Sequence, residues 1–443
     1  MKREKQVRVS QCMIVKNEAH NIERALSWGR DMMWEQVVVD TGSTDNTVEL
    51  AEKMGARIFS FSWTDDFAAA KNYAISKAEG DWIAFLDADE YMERDGVEKL
   101  KLILQGSQVE RLDGISTGWQ QLNEKGEIFS SGTQIRFFQN LPDIRYRRRI
   151  HEQLESLSGR PLRIGDAVNE LSIFHTGYQG KAFEEKKRSN RNRRLIQEEL
   201  REHPEDYEMM GYMGDEYFSE GSMKEAEEWY FRSIAHMPSQ LEESDQRSAV
   251  TFSRLLTILT EGEGASWERG KEIYAKAVGY LPKEADFDYL IGRFFAAKGE
   301  AEKAVFYLEA AIHKLNTFGC SNKALLLAAN LLEAYDLLVR CSYEARQWDK
   351  CTAYGAACLK YDKYRMGVLS CLLKALISDR KECDGREDEY EQVLGFFAKI
   401  YDNSLKDRLF LVKTSRLSGC GGFSEYLSNR LFSNQELELL KKI

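Results

Sequence analysis

"DWIAFLDADEYM", residues Asp81 to Met92, opens on a short apolar run, Trp82-Ile83-Ala84-Phe85-Leu86, and ends in three acids, Asp87, Asp89 and Glu90. An apolar run of this length, bounded by polar residues, reads as a strand buried on both faces. Carboxylates crowded at the mouth of such a strand repel one another, so something positive must meet them. On a regular strand Asp87 and Asp89 point to one side and the residue between them to the other. That spacing suits a hard divalent cation, Mg2+ or Mn2+, held by one or two carboxylates and by substrate phosphate oxygens. The plain alternative is a solvated turn whose acids cap the next segment.

Working outward, the chain up to Asp89 alternates strand and helix. "VRVSQCMIV", "EQVVVD" and "ARIFSF" read as strands; "HNIERALSWGRDM", "NTVELAEKMG" and "DFAAAKNYAISKAEG" read as helices. Ser43 or Thr44 is placed to cap the second helix, and Gly55 and Gly80 close the second and third. Short apolar strands alternating with helices make a parallel sheet covered on both faces, and such sheets bind ligands at the carboxyl ends of their strands. Asn17-Glu18, Asp40 and Asp87-Asp89 all fall at those ends. The first strand runs into "VKNEAHN" rather than GxGxxG, and no GxxxxGK[ST] occurs, which disfavours a dinucleotide-binding fold and a phosphate-cradling P-loop.

From about Gly114 to Tyr178 the pattern becomes that of a mixed sheet, with "GISTGWQQLN", "EIFSSGTQIRFFQ", "IRYRRRIHEQL" and "LSIFHTGY" as strands. On a strand Arg147 and Arg149 share one face, and one such pair could meet a diphosphate. From about Lys181 the chain is almost purely helical. The basic run Lys186 to Arg194 at the junction reads as a solvated helix face or a hinge. "GDEYFSEGSMKEAEEWYFRSIAHMP" and "GRFFAAKGEAEKAVFYLEAAIHKL" align, with Gly214, Gly221 and Ala226 answering Gly292, Gly299 and Ala304. Small residues where helices cross, with aromatics around them, mark tetratricopeptide-like helix pairs. The reading is therefore two domains, 1–180 as α/β and 181–443 as all-α.

A formal net charge of -10 argues against a general nucleic-acid or anionic-membrane binder. No apolar run is long enough to cross a bilayer, and Lys16, Asn17 and Glu18 cut short the apolar segment behind the basic start, so neither stable membrane insertion nor a signal peptide is expected. The eight cysteines form no CxxC pair, which fits reduced, buried thiols in a cytoplasmic protein.

Four ordered stretches, "CMIVKNEAHNIERAL", "VVVDTGSTDNTVELAEKMGA", "DDFAAAKNYAISKAEGDWIAFLDADE" and "RRIHEQL", resemble family 2 glycosyltransferases of the GT-A fold. The resemblance runs from about Val7 to about Tyr178. It is nearest to bacterial members with a tetratricopeptide tail, a group that includes the peptide S-glycosyltransferases of glycosylated bacteriocins. It implies a pocket for a nucleotide sugar, UDP-sugar first, drawn from Val15, Asn17, Glu18, Asp40, Ser43, Lys71, Asp87, Ala88, Trp119 and Arg149. Asp40 would bond the base, Glu18 would line the base and ribose pocket, and Asp87 would contact the ribose and reach a metal through water. Lys71 stands where the family often has Arg, and a point charge does not replace a guanidinium fork. Asp89 would bind Mg2+ or Mn2+ directly, with His151 or His175 as a further ligand.

The resemblance also implies inversion by direct displacement, one carboxylate acting as general base on the acceptor. Glu152 is the first candidate and Asp66 the second; Glu90 and Asp113 are rivals. Trp119 offers a ring on which a sugar could stack, against the plain reading of a sheet-core tryptophan. The resulting expectation is an inverting, metal-dependent glycosyltransferase acting on a Cys, Ser or Thr side chain of a peptide or protein. Its helical half would bind the acceptor, form a homodimer, or do both. The rivals are a transferase for lipopolysaccharide core, capsule or another glycan, and a non-catalytic helical scaffold, which intact Asp40, Asp87 and Asp89 disfavour.

Overall fold

The computed structural model describes residues 7–106, 108–176, 190–242, 245–262, 264–319, 325–377, 386–401, 404–433 and 435–436. Two compact units divide the chain, Met1–Met209 and Met210–Ile443. The expected boundary at 180/181 lies outside the described residues, as do Tyr178 and the first part of the Lys186 to Arg194 run.

The first unit runs β1 (Val9–Val15), α1 (Ile22–Ser27), β2 (Glu35–Asp40), α2 (Thr47–Lys53), β3 (Arg57–Ser60), α3 (Phe67–Lys77), β4 (Trp82–Phe85), β5 (Glu90–Met92) and α4 (Arg94–Gln105). It continues with β6 (Gly114–Leu122), β7 (Ile128–Gln139), β8 (Ile144–Arg147), β9 (Gln153–Ser156), β10 (Ile164–His175) and α5 (Arg191–Glu202). Eight strands form one sheet in the order β3-β2-β1-β4-β7-β6-β10-β5. β1 is parallel to β2 and β4, and β2 to β3; β7 is antiparallel to both β4 and β6. The sheet is thus parallel where the chain alternates strand and helix, and mixed beyond β4.

Both faces of the opening strand stretch are buried, and alternate residues divide between them. Trp82, Ala84 and Leu86 pack in one core with Ile115 and Phe137. Ile83 and Phe85 pack in another with Cys12, Val37, Val39 and Phe138, which α3 covers through Ala68, Ala74 and Ile75. Period-two burial on both sides is what a strand between two helical layers requires.

Three local expectations are corrected. "IRYRRRIHEQL" is not one strand but a hairpin of β8 and β9, because Arg148 (φ +76°) and His151 (φ +52°) take left-handed backbone and end the alternation. Arg147 and Arg149 therefore do not share a strand face. The N-cap of α2 is Asn46, without a side-chain bond; Ser43 Oγ instead accepts the Asn17 N–H at 3.0 Å. The Thr44 N–H donates to Asn17 Oδ1 at 2.7 Å, so the ends of β1 and β2 are stitched together. Finally, Asp87 and Asp89 lie past the end of β4, in the turn before β5.

The second unit is helical. α6 (Tyr207–Ser219), which begins just before it, leads into α7 (Met223–His236), α8 (Gln246–Thr260), α9 (Trp267–Tyr280), α10 (Asp286–Ala297) and α11 (Ala301–Phe318). The aligned residues do the same work in both copies. A Cβ on Gly214 of α6 would lie 2.4 Å from the Tyr230 ring of α7, and one on Gly292 of α10 would lie 2.7 Å from Leu308 of α11. Ala226 and Ala304 are fully buried at the same crossings. Gly221 (φ +82°) and Gly299 (φ +74°) make the left-handed turns between the paired helices, conformations that side chains resist. Further helices follow to Leu431. Among the described cysteines Cys12, Cys341, Cys351, Cys358 and Cys420 are buried thiols. Among the described residues no helix is long and apolar enough to cross a membrane.

Candidate active site

Past the end of β4 the three acids part company. Asp87 turns to two buried cations: its Oδ1 lies 3.7 Å from Lys71 Nζ and its Oδ2 3.2 Å from an Arg136 η-nitrogen. Glu90, fully buried, pairs with the same guanidinium and accepts the Asp87 N–H at 3.0 Å and the Trp119 indole N–H at 2.7 Å. Asp89 goes the other way, its Oδ2 lying 3.4 Å from His175 Nε2. The antiparallel pairing of β5 with β10 sets His175 opposite Glu90 and so brings it to Asp89.

Lys71 comes from the second turn of α3. It is almost wholly buried and sits over the Phe85 and Tyr146 rings at 5.1 and 5.0 Å. Its ammonium also meets Glu152 Oε1 at 2.5 Å. Burial opposes its charge, but Asp87 and Glu152 outweigh burial and hold it cationic. For Glu90 burial pushes the carboxyl up and Arg136 pulls it back. For His175 burial opposes the imidazolium and Asp89 more than restores it, so its pKa rises.

Arg136 arrives through a backbone irregularity. Phe137 pairs with Ile115 and Ile135 with Ser116, so Arg136 is the extra residue of a β-bulge. Bulges re-aim a side chain, and this one sends a guanidinium to the acids from between apolar neighbours. Arg136 was not anticipated from sequence; the signal was a lone arginine inside "QIRFF". Among the described residues, Asp87, Asp89, Glu90 and Glu152 thus gather four carboxylates around two cationic side chains, Lys71 and Arg136, with His175 against Asp89.

The remaining candidates fall into place around this cluster. Val15 and Ala88 pack in one buried group at the strand ends. Asp40 sits beside Val15 in the sheet register, and its carboxylate accepts the N–H groups of Gly42 and Ser43 at 3.1 and 3.0 Å. Glu18 accepts from the Asn21 amide at 2.8 Å, and its own N–H donates to Thr47 Oγ1 at 2.8 Å. Trp119 stacks on His175, centroids 4.8 Å apart, so its ring backs a site residue.

The structure places the rival and remaining candidates as follows. Asp113 is fully buried and clamped by Arg160 and Arg163, which hold it well below the usual carboxylate range, so it is no base. Glu90 is sealed behind Arg136 and Trp119. Arg149 pairs with Glu202 of α5. Of the two histidines, His175 meets Asp89, while His151 lies in the loop between β8 and β9. Asp66 spends Oδ1 on the Ala69 N–H as the N-cap of α3.

Asp89 and His175 are a carboxylate and an imidazole at a separation close to that of neighbouring ligands on one small cation, about 3 Å for bonds of about 2.1 Å. Among the described residues no group of three or more His, Cys, Asp or Glu is arranged to hold a metal. Among the described residues Asp89 and His175 are thus a pair of donors, a set that fits Mg2+ or Mn2+ only if other oxygens complete the shell.

The model of the family described as glycosyl transferase family 2 matches residues 10–114. A TPR repeat-containing protein of Synechococcus elongatus is 34% identical over 227 residues, covering 50% of this chain and 55% of that protein. The SPbeta prophage-derived glycosyltransferase SunS of Bacillus subtilis is 26% identical over 224 residues, covering 50% of this chain and 52% of its own. The chain therefore spans about half the length of these curated relatives. Among solved structures, TarS of S. aureus is 15% identical at a TM-score of 0.36, covering 60% of this chain and 54% of its own. The parallel strands β2, which ends in Asp40, and β4, which ends just before Asp87, lie inside the segment 10–114 that matches glycosyl transferase family 2, and a helical region with tetratricopeptide-like pairs follows it.

Proposed function

We propose that the chain is an inverting, cation-dependent glycosyltransferase that moves a sugar from a nucleotide-sugar donor, a UDP-sugar first, to a Cys, Ser or Thr side chain of a peptide or protein. The observation that carries the reading is Asp89 beside His175, at the edge of a cluster of four carboxylates. A carboxylate and an imidazole at this separation suit a divalent cation whose remaining ligands are diphosphate oxygens. When bound, such a cation stabilises the negative charge that develops on the departing diphosphate.

The chain's own residues supply the rest. Asp40, Asn17 and Glu18 at the ends of β1 and β2 are placed to receive the nucleoside. Lys71 and Arg136 hold Asp87 between them and keep its carboxylate fixed. Glu152 is the proposed general base. It faces the cluster from the loop after β8, where the rivals are sealed by arginines or occupied in capping α3. Lys71 occupies its Oε1, so that contact must open before this oxygen can reach the acceptor's proton. Paired helices stacked side by side offer extended surfaces of the kind that bind peptide segments, which supports a peptide or protein acceptor.

The test is calorimetry of the whole chain with UDP-, GDP- and dTDP-sugars, each with and without Mn2+ or Mg2+. Saturable binding of one class that strengthens with the cation is expected. Folded protein that binds no donor under either condition would overturn the reading.

A further inference from the structure

We infer that α5, the first described helix after the mixed sheet, is a brace for the loop that carries Glu152, with Glu199 as its positioning residue. The inference rests on the reading of Glu152 as the base. The loop, residues 148–152, contains two left-handed non-glycine residues, Arg148 and His151, a backbone that L-residues disfavour and that needs outside support. The support comes from one helix face. Leu195 and Ile196 are fully buried, and one turn later Glu199 is buried with them.

A buried carboxylate is costly and an apolar side chain would fill the same space. What Glu199 gains is the Arg149 backbone N–H, accepted by Oε2 at 2.9 Å. The carbonyl of that same Arg149 accepts the N–H of Phe67, the first residue of α3, at 2.9 Å. One turn further along α3 stands Lys71, whose ammonium holds Glu152. A single residue of the loop thus links the Glu199 carboxylate to the start of the helix that presents Lys71. Glu202 adds an ion pair to the Arg149 side chain, and Arg194 pairs with Asp65 at 2.6 Å next to the α3 cap. At the loop's other end Arg148 meets Asp206 at 3.2 Å, and Glu208 accepts from Gln153 at 3.2 Å. Arg148 and Arg149 of the "RYRRRIH" run are therefore matched to the acids of this segment, and these two arginines serve the loop.

The experiment uses the whole chain as Glu199→Ala and Glu199→Gln, since Gln retains an oxygen that can accept the Arg149 N–H. The first readout is amide hydrogen exchange. Glu199→Ala is expected to speed exchange at residues 148–152 and Phe67 at least tenfold and to leave β1, β2 and the second unit unchanged; Glu199→Gln should stay within a few-fold of the parent. The second readout is UDP release from the UDP-sugar in water. Glu199→Ala should lower kcat tenfold or more at little changed KM, with recovery in Glu199→Gln. Unchanged exchange at 148–152 in Glu199→Ala would overturn the brace, and faster exchange with undiminished turnover would overturn its catalytic role. If the parent chain binds no donor, the proposed function fails, while the exchange arm still decides whether the brace exists. Should Glu199→Ala not fold, Glu208→Ala loosens the same loop from its other end and is read in the same way.

Discussion

Two buried acid clusters of the first unit are built to opposite ends. At Asp113, just before β6, one carboxylate faces two guanidiniums. Arg160 reaches it at 2.7 and 3.0 Å, and Arg163 reaches it through Nε, an η-nitrogen and the backbone N–H. Every oxygen is engaged, and with Asp143, which Arg160 also meets at 3.4 Å, two carboxylates balance two guanidiniums, which is the composition of a structural clamp. At the end of β4 four carboxylates share two buried cations, and one of them, Asp89, faces an imidazole instead. Such an arrangement is stable only because Lys71 and Arg136, with His175 at Asp89, remove much of the repulsion. Acids at a strand end do not by themselves mark a site. The local sum of charge, and whether a donor is left facing outward, separates the two clusters.

The largest expected effect tests that separation directly. Asp89→Ala should lower sugar transfer by about 10³-fold, the scale of several kcal/mol of lost stabilisation of the leaving group. It should also abolish the cation dependence of donor binding in calorimetry. Thermal stability of the free chain should not fall, because the substitution removes one of the mutually repelling charges. Retained cation-dependent transfer in Asp89→Ala would erase the distinction between the two clusters.

How much of this was legible follows from the range of the interactions involved. The alternation of apolar strand and helix, and the gathering of Asp40 and Asp87 at one edge, are local in sequence, and the parallel pairing of β1, β2 and β4 bears them out. The repeat of Gly214 and Ala226 in Gly292 and Ala304 was likewise visible, since helix crossings demand small residues wherever they occur. Arg136 depends on a one-residue bulge between β6 and β7, which no periodicity announces. The arginines after Tyr146 were assigned to strand faces, and the positive φ of Arg148 undid that assignment. His175 could not be preferred over His151, because only the antiparallel pairing of β10 with β5 brings it to Asp89.

At the clamp the expected loss is of stability rather than activity. Asp113→Ala leaves Arg160 and Arg163 facing each other across an empty buried position, at a cost of about 2 kcal/mol, since both guanidiniums reach solvent. The urea midpoint should fall at neutral pH while donor binding persists. The pH dependence has a definite sign. The arginines depress the folded-state pKa of Asp113, so its contribution is present in full above the ordinary aspartate value of about 4 and is lost as pH falls through the depressed value. The gap between parent and variant should therefore be constant above about pH 5 and narrow in stronger acid. A variant that loses transfer without losing stability would move Asp113 to the other side of the comparison.

The smallest expected effect falls on the residue that touches both halves of the open cluster. Trp119 donates its indole N–H to Glu90 at 2.7 Å and lays its ring on His175. Trp119→Phe keeps a ring against His175 and removes one of the donors to Glu90, while Arg136 and the Asp87 N–H remain. With Glu90 still paired, the cost in stability should be only about 1 kcal/mol. A slackened Glu90 frees Arg136 to shift relative to Asp87, so turnover should drop by about tenfold, the scale of a lost supporting hydrogen bond behind a site residue. Trp119→Leu removes the stack as well, and His175 loses the wall that orients it. Cation affinity, read from the Mn2+ dependence of donor binding, should therefore weaken in Trp119→Leu and hold in Trp119→Phe. Equal behaviour of the two variants would mean that the ring is core packing alone, and that Asp89 and His175 are oriented by the β5–β10 pairing without it.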